Sequence, residues 1–191
     1  MHLLLAQQGS IADDNEAIDL GQSPADIVFI SAADTELASL SAALGELDTS
    51  PGLRLANMMA LNHPLSIDVY CEKTITGSRL VIIRCLGGES YWPYGLETIH
   101  ATCHANEVPL VVLPGDDKPD PSLARFNTVD APTQLALWSY LNQGGALNAR
   151  NFLIKNADIA ADIETKIKEK LGIGQPRVEA SADELAARRP A

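Results

Sequence analysis

Short runs of apolar residues alternate along this chain with longer stretches in which apolar residues recur at helical spacing. The runs are rich in Val, Ile and Leu, which is typical of strands that are buried on both faces of a sheet. They predict five strands, at residues 2–6, 25–30, 53–58, 80–83 and 108–113.

The stretches between these runs predict helices. Leu37, Leu40 and Leu44 recur at intervals of three and four residues, which places them on one face of a helix from about residue 34 to 44. Further helices are expected at about 64–73, from Leu96 onward, and at 130–141 before the Gly144-Gly145 pair. Strands that alternate with helices form parallel βαβ units. We therefore predict an α/β fold with a doubly wound, mostly parallel five-stranded sheet of the flavodoxin-like type over residues 1–153.

The pattern changes near the C-terminus. Ile159, Ile163 and Ile167 recur every four residues and are flanked by charged residues of both signs, as on a helix with a narrow apolar stripe. The last residues contain few large apolar side chains. Residues 154–191 are therefore expected to form a helical, partly flexible tail.

Composition limits the classes of function. A chain of 191 residues with a formal charge of −11 suits one domain and a tail. Because nucleic-acid affinity depends on clustered Lys and Arg, which this chain lacks, we expect no nucleic-acid partner. The N-terminus has no basic leader and no apolar run is long enough to span a membrane. The three cysteines show no metal-binding spacing, so a cytoplasmic location is expected.

In a parallel sheet the loops that follow the strands lie at one edge, where ligands usually bind. The loops at 7–10, 31–34, 62–63, 87–88 and 115–117 are expected to share this edge. This convergence carries most of the functional prediction.

The loop after the fourth predicted strand is the first candidate site. It combines an arginine, two glycines and three aromatic residues: Arg84, Gly87, Gly88, Tyr91, Trp92 and Tyr94. In one interpretation the glycine backbone and the rings face a flat, anionic ligand beside the arginine. In the other, this is a tight turn between a strand and a helix whose aromatic residues bury area.

Possible metal ligands form a second group. His100 and His104 are one helical turn apart, His63 precedes another helix, and Asp116 and Asp117 follow the last strand. Imidazole and carboxylate groups bind divalent cations. A solvent-facing histidine and an ordinary acidic turn explain the same residues, and this is the favoured interpretation. No phosphate-binding GxxxxGK[ST] motif is present.

Several ordered segments point to a known family. They include MHLLLAQQGSIAD, EAIDLGQSPADIVFISAADTELASL, LRLANMMALNHPLSIDVY, RCLGGESYWPYGLE, VLPGDDKPDPSLARFNTVD and LWSYLNQGGALNARNFL. Over about the first 153 residues the chain resembles the N-terminal part of the large subunit of aerobic cobaltochelatase, the CobN type, which is related to the porphyrin-binding subunit of magnesium chelatase.

The resemblance implies a role in cobalamin biosynthesis. Members of this family insert cobalt(II) into hydrogenobyrinic acid a,c-diamide in an ATP-dependent reaction, with two smaller ATPase subunits as partners. The first candidate site would then contact the corrinoid, and Arg84 would pair with one of its carboxylates. Cobalt and ATP with Mg²⁺ would be used by the whole complex, and no cofactor is assigned to this chain.

The family's large subunit is much longer than this chain, which lacks most of its body. The chain therefore contributes either by corrinoid binding or by subunit docking, and complete chelatase activity is not expected from it alone. The alternative is a non-catalytic interaction module that assembles with the rest of a split chelatase.

Overall fold

The structure, a computed structural model, describes residues 16–48 and 51–154. Four strands and four α-helices alternate within this part. They are β1 (Ile27–Ser31), α1 (Asp34–Gly45), β2 (Leu53–Asn57), α2 (Pro64–Tyr70), β3 (Val81–Cys85), α3 (Pro93–Ala105), β4 (Leu110–Pro114) and α4 (Ala131–Gln143). Residues 146–154 are also helical.

The sheet is doubly wound, as predicted. Its strand order is β2-β1-β3-β4, and all three neighbouring pairs are parallel. The chain reverses its direction of winding between β1 and β3, which makes their ends the topological switch point. The first predicted strand, at 2–6, and the tail from residue 155 onward lie outside the described residues.

Helices cover both faces of the sheet, so every residue of β1 and β3 is buried. On one face α2 and α3 pack over Val28, Ile30 and Ile83. On the other face α1, α4 and the 146–154 helix pack over Phe29 and Ile82. Phe152 contacts the ring of Phe29 edge to face, with centroids 5.8 Å apart. Two apolar cores therefore hold the sheet, one on each side.

Side chains form hydrogen bonds with the backbone amides and carbonyls at the outer edge of β4. Asn127 donates to the carbonyl of Val112 and accepts from its amide, while Thr128 accepts from the Leu110 amide. An open strand edge would otherwise pair with another chain. These hydrogen bonds prevent a further strand from pairing with this edge of β4.

Two helix boundaries differ from the predictions. α3 begins at Pro93, before the predicted start at Leu96, because proline at a first helical position leaves no amide unsatisfied. α2 ends at Tyr70 and continues as a π-helical turn over Cys71–Ile75, beyond the predicted end near residue 73. Within the described ranges, no helix has the length and apolar content that crossing a membrane requires.

Candidate functional site

The ends of the strands form one rim, as the parallel sheet requires. Ser31 of β1 is paired with Arg84 of β3, and Arg84 is paired with Leu113 of β4. Arg84 Nη2 also lies 3.3 Å from the carbonyl oxygen of Gly115, next to the acidic loop. The predicted convergence of the loops is confirmed for those that are described, whereas the loop at 7–10 lies outside the described residues.

Arg84 is buried at the switch point and has partners inside the domain. The residue is only 7% exposed. Its Nη1 lies 3.0 Å from Glu36 Oε1 in an ion pair whose angles are not those of a hydrogen bond. Its Nη2 donates to Asn142 Oδ1 at 2.9 Å. The guanidinium therefore ties β3 to α1 and α4, and a carboxylate already compensates its charge.

Glu36, which is partly exposed, completes the cluster around the buried Arg84, and sequence analysis did not identify it. Its carboxylate accepts a hydrogen bond from the Ser31 hydroxyl at 2.7 Å. Burial raises the pKa of Glu36, while the Ser31 hydrogen bond and the Arg84 charge act in the opposite direction. The only sequence signal was an acidic residue in the first turn of α1, which helix termini favour for other reasons.

The glycine turn after β3 has a local structural cause. Gly87 and Gly88 both have positive φ, at 86° and 72°, where side chains are strained. A Cβ on Gly88 would lie 2.5 Å from an Asp120 carboxylate oxygen. Cys85 donates to the Gly88 carbonyl at 3.2 Å, and burial raises the pKa of this thiol to about 11. The turn is thus fitted to Asp120, and the thiol stays protonated at neutral pH.

Trp92 is a core residue. It is buried, and its indole Nε1 donates to the Leu61 carbonyl at 3.2 Å. A Cβ on Gly95 would lie 2.1 Å from the indole ring, so the backbone of α3 approaches this ring closely. The side chain therefore anchors the start of α3 to the turn that follows β2.

Tyr91 and Tyr94 are exposed at the same rim. Tyr91 is 52% exposed and its hydroxyl lies 3.5 Å from Met59 Sδ. Tyr94 is 45% exposed and donates to Asp68 at 2.8 Å, which raises the pKa of the phenol. Of the six residues in the first candidate site, these two rings present the largest free surface.

The predicted metal residues are spread over several elements. His63 caps α2 through Nδ1, which accepts from the Leu65 amide, and His100 packs edge to face on Phe126. His104 is in the last turn of α3. In the part of the chain that the structure describes, no three His, Cys, Asp or Glu residues form a group that could hold a metal ion.

The acidic loop after β4 is built from turn interactions. Asp116 accepts from the Lys118 amide at 3.1 Å, and its carbonyl accepts from Trp138 Nε1. Asp120 accepts from the amide and the hydroxyl of Ser122, and it thereby caps the short 3₁₀ helix Pro121–Phe126. Asp117 is exposed. The turn interpretation thus explains most of these contacts.

Comparison with known proteins identifies two close relatives. The chain is 53% identical over 165 residues to aerobic cobaltochelatase subunit CobN of Sinorhizobium sp., covering 86% of this chain and 13% of that protein. It is 39% identical over 153 residues to the Pseudomonas aeruginosa protein of the same name, covering 80% of this chain and 12% of that protein. The chain thus spans only a small fraction of these relatives. No protein-family model matches it.

A shorter piece of the chain, 39 residues, is 67% identical to RecA of Acidothermus cellulolyticus and covers 11% of that protein. This match involves 20% of the chain.

A solved structure shares the fold. The catalytic subunit of cobaltochelatase from Mycobacterium tuberculosis superimposes with a TM-score of 0.53 and 28% identity, over 71% of this chain and 10% of that one. Sequence and fold agree on the same protein. Over most of its length the chain is therefore related to one region of the cobaltochelatase large subunit CobN, as the ordered segments predicted.

Proposed function

We propose that this chain is a domain of a cobaltochelatase large subunit that supports ATP-dependent insertion of cobalt(II) into hydrogenobyrinic acid a,c-diamide. The observation that carries the proposal is the 53% identity to CobN over 86% of the chain. The remainder of the large subunit and the ATPase subunits are its proposed partners. Because the chain spans 13% of that relative, it acts as part of the assembly.

Docking within the subunit accounts for the rim better than direct corrinoid binding. A corrinoid carboxylate requires an available cation, but Arg84 is buried and lies 3.0 Å from Glu36. The pairing of Arg84 with a corrinoid would require this ion pair to open. The exposed backbone of Gly87 and the rings of Tyr91 and Tyr94 are the proposed corrinoid contacts, whereas Gly88 is buried.

Metal handling by this domain is the weaker part of the proposal. His63 and the acidic residues Asp116 and Asp117 follow strand ends, whereas His100 and His104 are in the second half of α3. A cobalt ion that passes this domain would meet single carboxylates or imidazoles from different elements. Such contacts suit transient passage better than tight coordination.

A domain exchange tests the proposed function. In Sinorhizobium CobN, the matching region is replaced by residues 1–153 of this chain, and in a second protein it is deleted. Cobalt insertion is then measured with the partner ATPase subunits, ATP and the corrinoid. We expect the exchanged protein to retain activity and the deleted protein to lose it. Full activity of the deleted protein would contradict the proposal.

The alternative is a non-catalytic interaction module that assembles with the rest of a split chelatase. The exposed rings of Tyr91 and Tyr94 at the rim favour this alternative, because exposed aromatic side chains are typical of protein contacts. Supplying this chain as a separate polypeptide to the deleted CobN distinguishes the two. Restored activity in trans supports a split arrangement, whereas restoration only by covalent exchange supports an integral domain.

A further inference from the structure

Exposed apolar side chains are concentrated at the rim of the sheet. Of the nine large apolar residues that are exposed in the described ranges, six lie beside the strand ends or the start of α2. We call these six residues the rim patch: Ile18, Met59, Leu65, Leu86, Tyr91 and Tyr94. A domain that stands alone rarely exposes a contiguous apolar patch of this kind, since such patches mark interaction sites.

Three contacts connect the segments that carry five of these six residues, and Leu86 lies on the same turn as Tyr91. Tyr91 from the turn after β3 reaches Met59, which follows β2. Tyr94 is hydrogen-bonded to Asp68, one helical turn after Leu65 on α2. The amide of Ile18 donates to the hydroxyl of Ser66, the neighbour of Leu65. Residues from four separate segments therefore share one surface.

Buried contacts beneath the rim patch fix the positions of its aromatic residues. Trp92 lies between Tyr91 and Tyr94 in the chain, and its buried ring is fixed by the Leu61 carbonyl and by the close approach of Gly95. Gly87 packs against the side chain of Tyr91, where a Cβ would be 3.2 Å away. Preorganised aromatic side chains lose little entropy on binding, which makes them effective anchors.

Carboxylates border the rim patch. Asp68 contacts Tyr94, while Glu89 and Glu97 both pair with Arg125. The hydrogen bonds between Glu89 and Arg125 raise the pKa of Arg125 and lower that of Glu89, which favours the charged form of both groups. Two carboxylates thus share one guanidinium, and Asp68 adds a third carboxylate beside Tyr94. This border disfavours a macrocycle rich in carboxylates and favours a basic protein surface.

We propose that the rim patch is the surface by which this domain docks on the rest of the CobN polypeptide, at a site that is apolar in its centre and basic at its border. The inference rests on the proposed function. It is supported by the 13% and 12% coverage of the CobN relatives, in which this region adjoins a far longer polypeptide. The proposed binding partner of the rim patch is therefore the remainder of the large subunit. Binding of a second copy of this chain or of a corrinoid at this surface would contradict the proposal.

Binding of two separate polypeptides tests the docking. The probe is Sinorhizobium CobN from which the matching region has been deleted, and its Kd for this chain is measured by biolayer interferometry. We expect the double substitution Met59→Ser and Tyr91→Ser to raise the Kd by about tenfold or more, as for truncated central anchors. Leu135→Ser is the matched control, because Leu135 is 59% exposed on α4, and its Kd should stay within about twofold.

The results separate this inference from the proposed function. Equal affinity of the rim variant and the wild type overturns the docking surface, even if the domain exchange preserves cobalt insertion. Absence of wild-type binding also overturns it, provided that the deleted CobN is folded by circular dichroism. If the deleted CobN does not fold, amide hydrogen exchange replaces the Kd measurement. Residues 86–94 should then exchange more slowly in the exchanged full-length CobN than in the free chain, and equal exchange overturns the inference.

Two further outcomes assign the surface to other occupants and equally overturn the inference. One is self-association of the chain that the same double substitution abolishes in sedimentation velocity. The other is protection of residues 86–94 by hydrogenobyrinic acid a,c-diamide added to the free chain.

Discussion

Arg84 and Tyr91 belong to the same loop region of the sequence, yet the structure gives them opposite environments. Arg84 is 7% exposed and has an acidic partner, whereas Tyr91 is 52% exposed and its hydroxyl contacts Met59 Sδ. Side chains of a strand alternate between its faces, and Arg84 points to the face of α1 and α4. The glycine turn then carries the chain to the face of α2 and α3.

The comparison shows that a charge at a strand end is not by itself a ligand site. The cluster around the buried Arg84 guanidinium, with Glu36 and Asn142, joins three elements of the domain. The rim patch leaves the rings of Tyr91 and Tyr94 accessible. Stability is therefore expected to depend on the first region and association on the second.

The largest expected effect is on the buried ion pair. Arg84→Met leaves the partly buried Glu36 carboxylate without its cation. Breaking a fully buried ion pair typically costs about 3–5 kcal/mol in the free energy of unfolding, which sets the upper end of the expected loss. Urea unfolding monitored by circular dichroism measures it. The double variant Arg84→Met with Glu36→Met is the control and should recover most of the loss. A single variant as stable as the wild type would show that the pair is not structural.

The next effect concerns the contact between α3 and Trp92. Gly95→Ala places a Cβ 2.1 Å from the indole ring, and overpacking of this kind costs about 1–3 kcal/mol. Gly45→Ala is a matched control at the end of α1, where a Cβ meets nothing within 4 Å. Its unfolding midpoint should be unchanged or slightly higher. Equal midpoints for both variants would contradict the close approach.

A smaller effect is the pH dependence that Glu36 produces. Burial raises the pKa of Glu36 above its ordinary value of 4.5, so the folded state holds this proton more tightly than the unfolded chain. The stability from this group is complete below the unfolded pKa and is lost as the pH rises through the folded pKa. The wild type should therefore lose stability relative to Glu36→Gln as the pH rises above 4.5. Urea unfolding across this range measures the difference, and parallel profiles would contradict it.

The smallest expected effect on stability is at the rim patch. Tyr91→Ser should change the free energy of unfolding by less than about 0.5 kcal/mol, as for exposed positions without special contacts. The same urea experiment measures it. A loss comparable to that of Arg84→Met would mean that Tyr91 belongs to the core and would erase the contrast between the two regions.

Local sequence patterns predicted the fold well and the cluster around Arg84 poorly. The apolar runs located all four described strands, and Gly144 and Gly145 end α4 with positive φ. Such signals are local, because burial on two faces and turn geometry act on neighbouring residues. The pairing of Arg84 with Glu36 joins a strand to a helix that is distant in sequence. No spacing rule selects such a partner.

The candidate site shows the same division. The convergence of strand ends follows from parallel topology and was predictable, whereas the exposure of individual side chains was not. Trp92 and Tyr91 are adjacent aromatic residues, but one is buried under α3 and the other is exposed. The signal that separates them is Gly95, three residues after Trp92, which admits the indole ring. Met59 became part of the site only through its contact with Tyr91.

The most direct test uses the exchanged CobN that carries Met59→Ser and Tyr91→Ser. Its rate of cobalt insertion and its melting temperature are both measured. Leu135→Ser in the same protein provides the reference. We predict that the rim variant loses insertion activity while its melting temperature matches that of the reference. An unchanged rate of cobalt insertion in the rim variant would contradict the central claim that this surface connects the domain to the rest of the subunit.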